Sequence, residues 1–195
     1  MSTWKGIEGK CYTPDAFDAY VKNLKFVAWK PKFVVLHNTG VPKFSEWHKH
    51  SGHSRMKGLE HYYRDKQKWS AGPHLFVADD YIWTFTRLTQ PGVHAPSWNH
   101  VAWGVEMVGD YDSEPFHPRV RANAIRALAA LHRIGGLDPA TLRLHKEDVN
   151  TTHKHCPGKH VSKVDIITSV KQYLSFTKLI EETMNLVAHP VGFGT

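Results

Sequence analysis

Apolar residues recur along this chain with two periods, and the switches between them outline alternating helices and strands. Thr13 before Pro14 reads as an N-cap and first helical position, and Phe17, Tyr20, Val21 and Leu24 follow at helical spacing. Phe33-Val34-Val35-Leu36 is an unbroken apolar run ending at His37, the pattern of a buried strand. After a loop over residues 42–52, Met56, Leu59, Tyr62 and Tyr63 mark a second helix. Leu75–Ala78 and Tyr81–Phe85 flank Asp79-Asp80 and predict a β-hairpin. A loop with Pro91, Gly92 and Pro96 leads to a strand over 101–108. The Ala-rich stretch Pro118–Ile134 predicts a long helix, with Ile125, Leu128 and Leu131 in register and Gly135-Gly136 to stop it. Leu142–Leu144 is a short strand feeding His145, and helices over Val161–Leu174 and Phe176–Val187 follow. Strands interleaved with helices imply an α/β domain with a mixed central β-sheet flanked by helices.

The chain has 195 residues and no internal repeat, which favours a single domain over 1–195, with residues 176–195 as a C-terminal helix and tail. Its charge of 25 − 18 = +7 suits polyanionic partners: nucleic acid, acidic lipid or anionic envelope polymers. With no Lys/Arg run or nucleic-acid motif, the nucleic-acid reading lacks support. No apolar stretch has the length of a membrane span, so no integral membrane association is expected. Phe176, Leu179, Ile180, Met184 and Val187 are mildly amphipathic and read as a packing helix. Met1–Lys10 lacks a signal-peptide core, so synthesis in the cytoplasm is expected, with another route out for any work outside. Two cysteines are too few for a disulfide framework and point to a reducing compartment or metal chemistry.

Fifteen histidines are an unusual number for this length. His48, His50, His53, His61, His117, His132 and His189 sit in polar or helical contexts that place them at the surface. His37 and His145 differ, because each comes at the end of a predicted strand, where a rigid sheet holds a side chain that faces a cleft. Cys156 follows His145 by eleven residues (156 − 145). Two imidazoles and a thiolate would leave the fourth tetrahedral position of a zinc ion for water, as in catalytic sites. Spacing alone leaves three readings open: this ligand set, hydrogen-bonded histidines with a structural thiol, or a Cys11–Cys156 disulfide.

Three blocks decide among them by resemblance: Val34-Val35-Leu36-His37-Asn38, Trp103 through Gly109, and His145 through the ending His153-Lys154-His155-Cys156-Pro157-Gly158. In this order, over about residues 33–161, they resemble the zinc-dependent N-acetylmuramoyl-L-alanine amidases. That family includes phage endolysins, wall-recycling amidases and animal peptidoglycan-recognition proteins; the last block is the strongest piece of the resemblance, and the whole is most similar to the phage endolysin branch. The resemblance implies one zinc ion at a cleft floor, held by His37, His145 and Cys156; some relatives have Asp in place of the cysteine. A local knuckle of His153, His155 and Cys156 is an unattractive alternative, since adjacent residues do not easily converge on one ion.

Glu106 interrupts the apolar run Val105–Val108, where an ionised carboxylate is costly unless used or paired. The resemblance makes it a general base, as in the recycling branch, and makes Lys154 an oxyanion stabiliser. His94 and Asn99 resemble positions lining the substrate groove, and His74 is expected there or in a supporting structural place. Many relatives carry a catalytic tyrosine before the histidine of Tyr-His-Phe; here the segment is Pro73-His74-Leu75-Phe76, and Glu106 is the natural substitute. Trp98 suits sugar stacking or packing, and Trp103 the core. The function implied is cleavage of the lactyl–L-alanine amide of peptidoglycan by a monomeric phage or prophage endolysin that reaches the wall through a membrane pore. A non-catalytic peptidoglycan-binding protein and a cytoplasmic muropeptide-recycling amidase are the alternatives; non-catalytic members typically lack the thiolate ligand.

Overall fold

In the computed structural model, which describes residues 3–188, six strands form one mixed sheet. They are β1 (Lys10–Tyr12), β2 (Phe33–Asn38), β3 (Leu75–Val77), β4 (Ile82–Thr84), β5 (Ala102–Met107) and β6 (Arg143–Leu144), in the order β1-β4-β3-β5-β2-β6. Strands β3, β5, β2 and β6 run parallel, while β4 is antiparallel to both β3 and β1. The helices are α1 (Pro14–Lys22), α2 (Phe44–Trp47), α3 (Gly52–His61), α4 (Pro118–Gly135) and α5 (Lys163–Ala188).

Local signals set most of these boundaries. The Thr13 side chain accepts the Ala16 N–H at the start of α1, and Gly136 (φ +62°) takes the left-handed position that ends α4, where a residue with a Cβ would be strained. Four differences from the sequence expectation have physical causes. Helix α2 lies inside the expected 42–52 loop, its first amides held by a carboxylate 70 residues away: Phe44 N–H and Ser45 N–H donate to Glu114 at 2.8 and 3.0 Å. Strand β1 is only three residues long, too short for a periodic signal. The two expected C-terminal helices are one, α5, since Leu174-Ser175-Phe176 contains no breaker. Expected at the surface, His132 is instead buried, its Nδ1 bonded to the Leu128 carbonyl one turn back in α4. Residues 189–195, including His189 and the end of the expected tail, lie outside the described residues. No described helix is long and apolar enough to cross a membrane.

Strand side chains alternate between faces, and here the faces divide the work. Val34 and Leu36 of β2, Leu75 and Val77 of β3, and Trp103, Val105 and Met107 of β5 form one apolar layer with α1, α4 and α5. The opposite face packs Phe76 and Trp83 against Met56 of α3, with Trp47, Tyr63 and Phe85 in the same cluster. Trp103 is fully buried, as expected, and donates its indole N–H to the Leu88 carbonyl at 2.9 Å.

Candidate metal centre

Parity and register bring the site together. Phe33, Val35 and His37 share one face of β2, and the register sets His37 beside Glu106 of β5. Arg143 of β6 pairs with Val35, so His145, two residues on, returns to that same side just past the strand. All three side chains therefore stand near the carboxyl ends of parallel strands, where open α/β sheets bind ligands. Cys156 arrives from a loop pinned to this end: the Lys146 N–H donates to the Cys156 carbonyl at 3.0 Å.

His37, His145 and Cys156 each bring one ligand atom to within 4.8 Å of the others. Hydrogen bonds determine which ring nitrogens face the centre. The Ala102 carbonyl can only accept, so His94 donates to it through Nε2 (3.1 Å) and its bare Nδ1 accepts the Nε2–H of His37 (3.1 Å). His37 is left with Nδ1 for a ligand. The His145 Nε2 is likewise engaged with the Thr151 hydroxyl at 2.8 Å, leaving its Nδ1. Such outer partners fix imidazole tautomer and orientation in metal sites. The His94 ring lies so close over β5 that a Cβ at residue 104 would stand 2.4 Å from it; Gly104 makes the arrangement possible.

Electrostatics agree with the geometry. Burial, then the neighbouring histidines His145, His94 and His153, holds the His37 pKa well below its ordinary value, and burial brings His145 down to about 4. Both rings are therefore neutral and able to ligate at neutral pH. Burial pushes the Cys156 thiol up, with the Asn38 backbone N–H working the other way. Glu106 is buried, and desolvation raises its pKa to about 8. Its Oε1 lies 3.8 Å from His37 Nδ1 while Oε2 has no hydrogen-bond partner among the described residues. A buried, unpartnered carboxylate oxygen beside two bare imidazole nitrogens and a thiol fits a divalent cation of intermediate softness.

Known proteins share both this sequence pattern and this fold. The sequence profile of the N-acetylmuramoyl-L-alanine amidase family, amidase type 2, matches residues 28–159, which is 132 of the 195 residues (159 − 28 + 1). The chain belongs to this family. Among solved structures it is similar to the N-acetylmuramoyl-L-alanine amidase LysC from Clostridium intestinale URNW, at 20% identity over 76% of this chain and 94% of that one, TM-score 0.59. The endolysine amidase LysCS of the same organism matches at 22% identity over 76% and 92%, TM-score 0.54. A mutant of Drosophila PGRP-LB in complex with tracheal cytotoxin matches at 21% identity over 72% and 82%, TM-score 0.58. At these identities the likeness establishes the fold. Among curated protein sequences nothing matches.

The other expected site residues of this amidase-family chain fall into two groups. Glu106, Lys154, His94, His153 and His155 line the same cleft as the three ligands, a cavity of about 430 Å³. Of these, Lys154 is exposed on the rim, and the exposed His153 stacks on His145 (ring centroids 5.3 Å apart). His94, although it borders the cleft, is almost wholly buried and both its nitrogens are engaged, so its work is to orient His37. Asn99 uses its side-chain oxygen to accept the His94 and Ala95 amides at 2.7 and 2.8 Å, holding the loop that carries His94. His74 does not reach the substrate groove: it is fully buried, accepting the Gly104 N–H at 2.9 Å and bonding the Gln90 carbonyl at 3.0 Å. Trp98 packs edge-on against Phe33. Cys11, on the far edge strand β1, and Cys156 are both free thiols, which removes the disulfide reading.

Sequence reasoning missed two features. Asp148, fully buried, accepts the Ser97 backbone N–H at 2.9 Å and its hydroxyl at 2.5 Å, tying the His94 loop to the His145 loop. One wall of the cleft is formed by Tyr62, Tyr63, Gln67 and Trp69. The cluster of aromatic residues with Gln67 in a nominal helix end was the available signal.

Proposed function

We propose that this chain is a zinc-dependent N-acetylmuramoyl-L-alanine amidase that hydrolyses the lactyl–L-alanine amide of peptidoglycan. The observation that carries this reading is the convergence of His37, His145 and Cys156 on one point beside the unpartnered carboxylate oxygen of Glu106. Zinc held by the three side chains supplies Lewis-acid activation of water and polarisation of the amide carbonyl. Glu106 is the proton carrier: its carboxylate takes a proton from the attacking water as the carbon–oxygen bond forms. It delivers that proton to the amide nitrogen as the carbon–nitrogen bond breaks. Its place beside His37, with one oxygen free of protein partners, suits it to both halves of this exchange. From the rim, the Lys154 ammonium offsets charge developing on the carbonyl oxygen. His94 and Thr151 keep the two imidazoles aimed throughout.

The substrate class follows from the family, and a relative solved with tracheal cytotoxin supports it. The role we assign is that of a phage or prophage endolysin acting on the wall as a monomer, supported by the likeness to LysCS and by a +7 charge that draws the protein towards anionic envelope polymers. Digestion of purified sacculi with mass analysis of the released ends tests the chemistry. New free L-alanine amino termini are expected; reducing sugar ends alone would overturn it. The endolysin role predicts that cells making the protein lyse when a membrane pore is opened, and lysis that is independent of the pore would argue against it.

A further inference from the structure

One polar group of the cleft has no part in the chemistry above. Tyr63 lies in a π-helical turn (Tyr62–Lys66) that continues α3. The turn closes irregularly: Gln67 N–H donates to the Tyr62 carbonyl at 2.9 Å, Trp69 N–H to the Tyr63 carbonyl at 3.0 Å, and between them Lys68 sits at φ +57°. A π-turn and a left-handed non-glycine residue each cost backbone energy, and such features gather where a side chain must be aimed.

What this turn aims is a rigid phenol. The Tyr63 ring is stacked on Trp69 (centroids 5.1 Å apart, 15° between planes) and meets Phe85 edge-on (5.8 Å, 74°). Gly72 lets these rings close up: a Cβ there would stand 2.5 Å from Phe85 and 3.2 Å from Tyr63. Only 9% of the residue is exposed, and its hydroxyl bonds to no described residue, yet it lines the cleft with Glu106 and Cys156, near enough for their charges to act on the phenol. A hydroxyl with no protein partner, carried into the cleft by an otherwise buried tyrosine, is matched to something that enters the cleft.

The geometry points to Tyr63 as a further catalytic residue, whose O–H donates a hydrogen bond to the scissile amide oxygen and gains strength as that oxygen becomes negative. This rests on the amidase reading above. It adds a donor on the α3 side of the cleft, provided by an irregular helix end instead of the sheet. Because the bond is strongest in the transition state, its loss falls on kcat and leaves KM nearly unchanged.

The test compares wild type, Tyr63→Phe and Tyr20→Phe on purified sacculi or a soluble muropeptide. Zinc content and thermal midpoint are measured alongside. Tyr63→Phe keeps the ring and its packing, so kcat is expected to fall roughly 100- to 1,000-fold, the loss seen for an oxyanion donor, with zinc content and midpoint unchanged. Tyr20, whose hydroxyl bonds Glu8, controls for loss of a phenol elsewhere and is expected to leave kcat unaltered. The proposal is overturned if Tyr63→Phe keeps kcat within twofold of wild type. It is overturned equally if the activity falls together with zinc content or midpoint, which marks a structural role. Should the wild-type protein release no L-alanine termini, the amidase reading fails and this proposal with it.

Discussion

The two faces of the sheet are built by the same strands and do opposite work. Along β5, Trp103, Val105 and Met107 enter an apolar layer with α1, α4 and α5, while Gly104 and Glu106 point to the other side, beneath His94 and beside His37. On the first face, removal of apolar area from water stabilises the fold by about 25 cal/mol per Å². On the second, polar groups are buried at a cost, and an ordered chain of hydrogen bonds offsets it: the Ala102 carbonyl to His94 to His37 on one side, His145 to Thr151 on the other. Neighbouring residues of one strand can thus be assigned separately to stability and to chemistry. Substitutions on the two faces should give separable effects.

The largest effect is expected at Cys156. Cys156→Ala removes the only soft ligand, so bound zinc and sacculus digestion should fall to background together; digestion at the wild-type rate by the zinc-free variant would refute the metal centre. Glu106→Gln keeps shape while removing the proton carrier, and a loss of about 100- to 10,000-fold in kcat is expected with zinc retained. On the other face, Leu128→Ala empties a fully buried position and should destabilise the protein by about 2–5 kcal/mol in urea unfolding, with kcat per folded molecule unchanged. A kcat loss there would break the division of labour. His94→Ala should weaken zinc affinity by about 10- to 100-fold, the usual consequence of removing an outer partner, as read by competition with a chelator.

The smallest expected effect is a pH dependence. Burial, followed by the charge of His94, brings the His74 pKa down to about 3, against about 6.5 in an unfolded chain. The unfolded chain therefore takes up a proton that the folded protein refuses, so stability is complete above pH 6.5 and is lost as pH falls towards 3. The depressed carboxylates Asp65 and Glu114, both held to about 2, act only at the acid end of that window. A thermal midpoint of the metal-free protein that declines already between pH 6.5 and 4.5 is the histidine signature, and a flat profile over that interval would contradict it.

Much of this was legible from short-range pattern. The run ending at His37, the Thr13-Pro14 start, the Gly136 stop and the carboxylate interrupting Val105–Val108 each act through a few adjacent residues, and the structure has them where the pattern does. Family resemblance added the pairing of His37 with His145 and Cys156, which spacing left open. Other features depended on residues far apart in the chain. Helix α2 is capped by Glu114 from 70 residues away; His94 and His74 have the composition of loop-end histidines, but their nitrogens are consumed inside the fold. Tyr63 resembles any helix-face aromatic until the π-turn and Trp69 aim it into the cleft.

The unbroken apolar run of β2 and the apolar stretch of β5 thus marked two buried strands locally, because such a run needs no knowledge of distant chain. Tertiary structure alone decided which imidazole nitrogens are bare, which carboxylate oxygen lacks a partner, and which aromatic hydroxyl faces the cleft. Those outcomes depend on contacts between residues such as 37 and 94, or 63 and 69 with 85, that exist only once the sheet and its loops have closed.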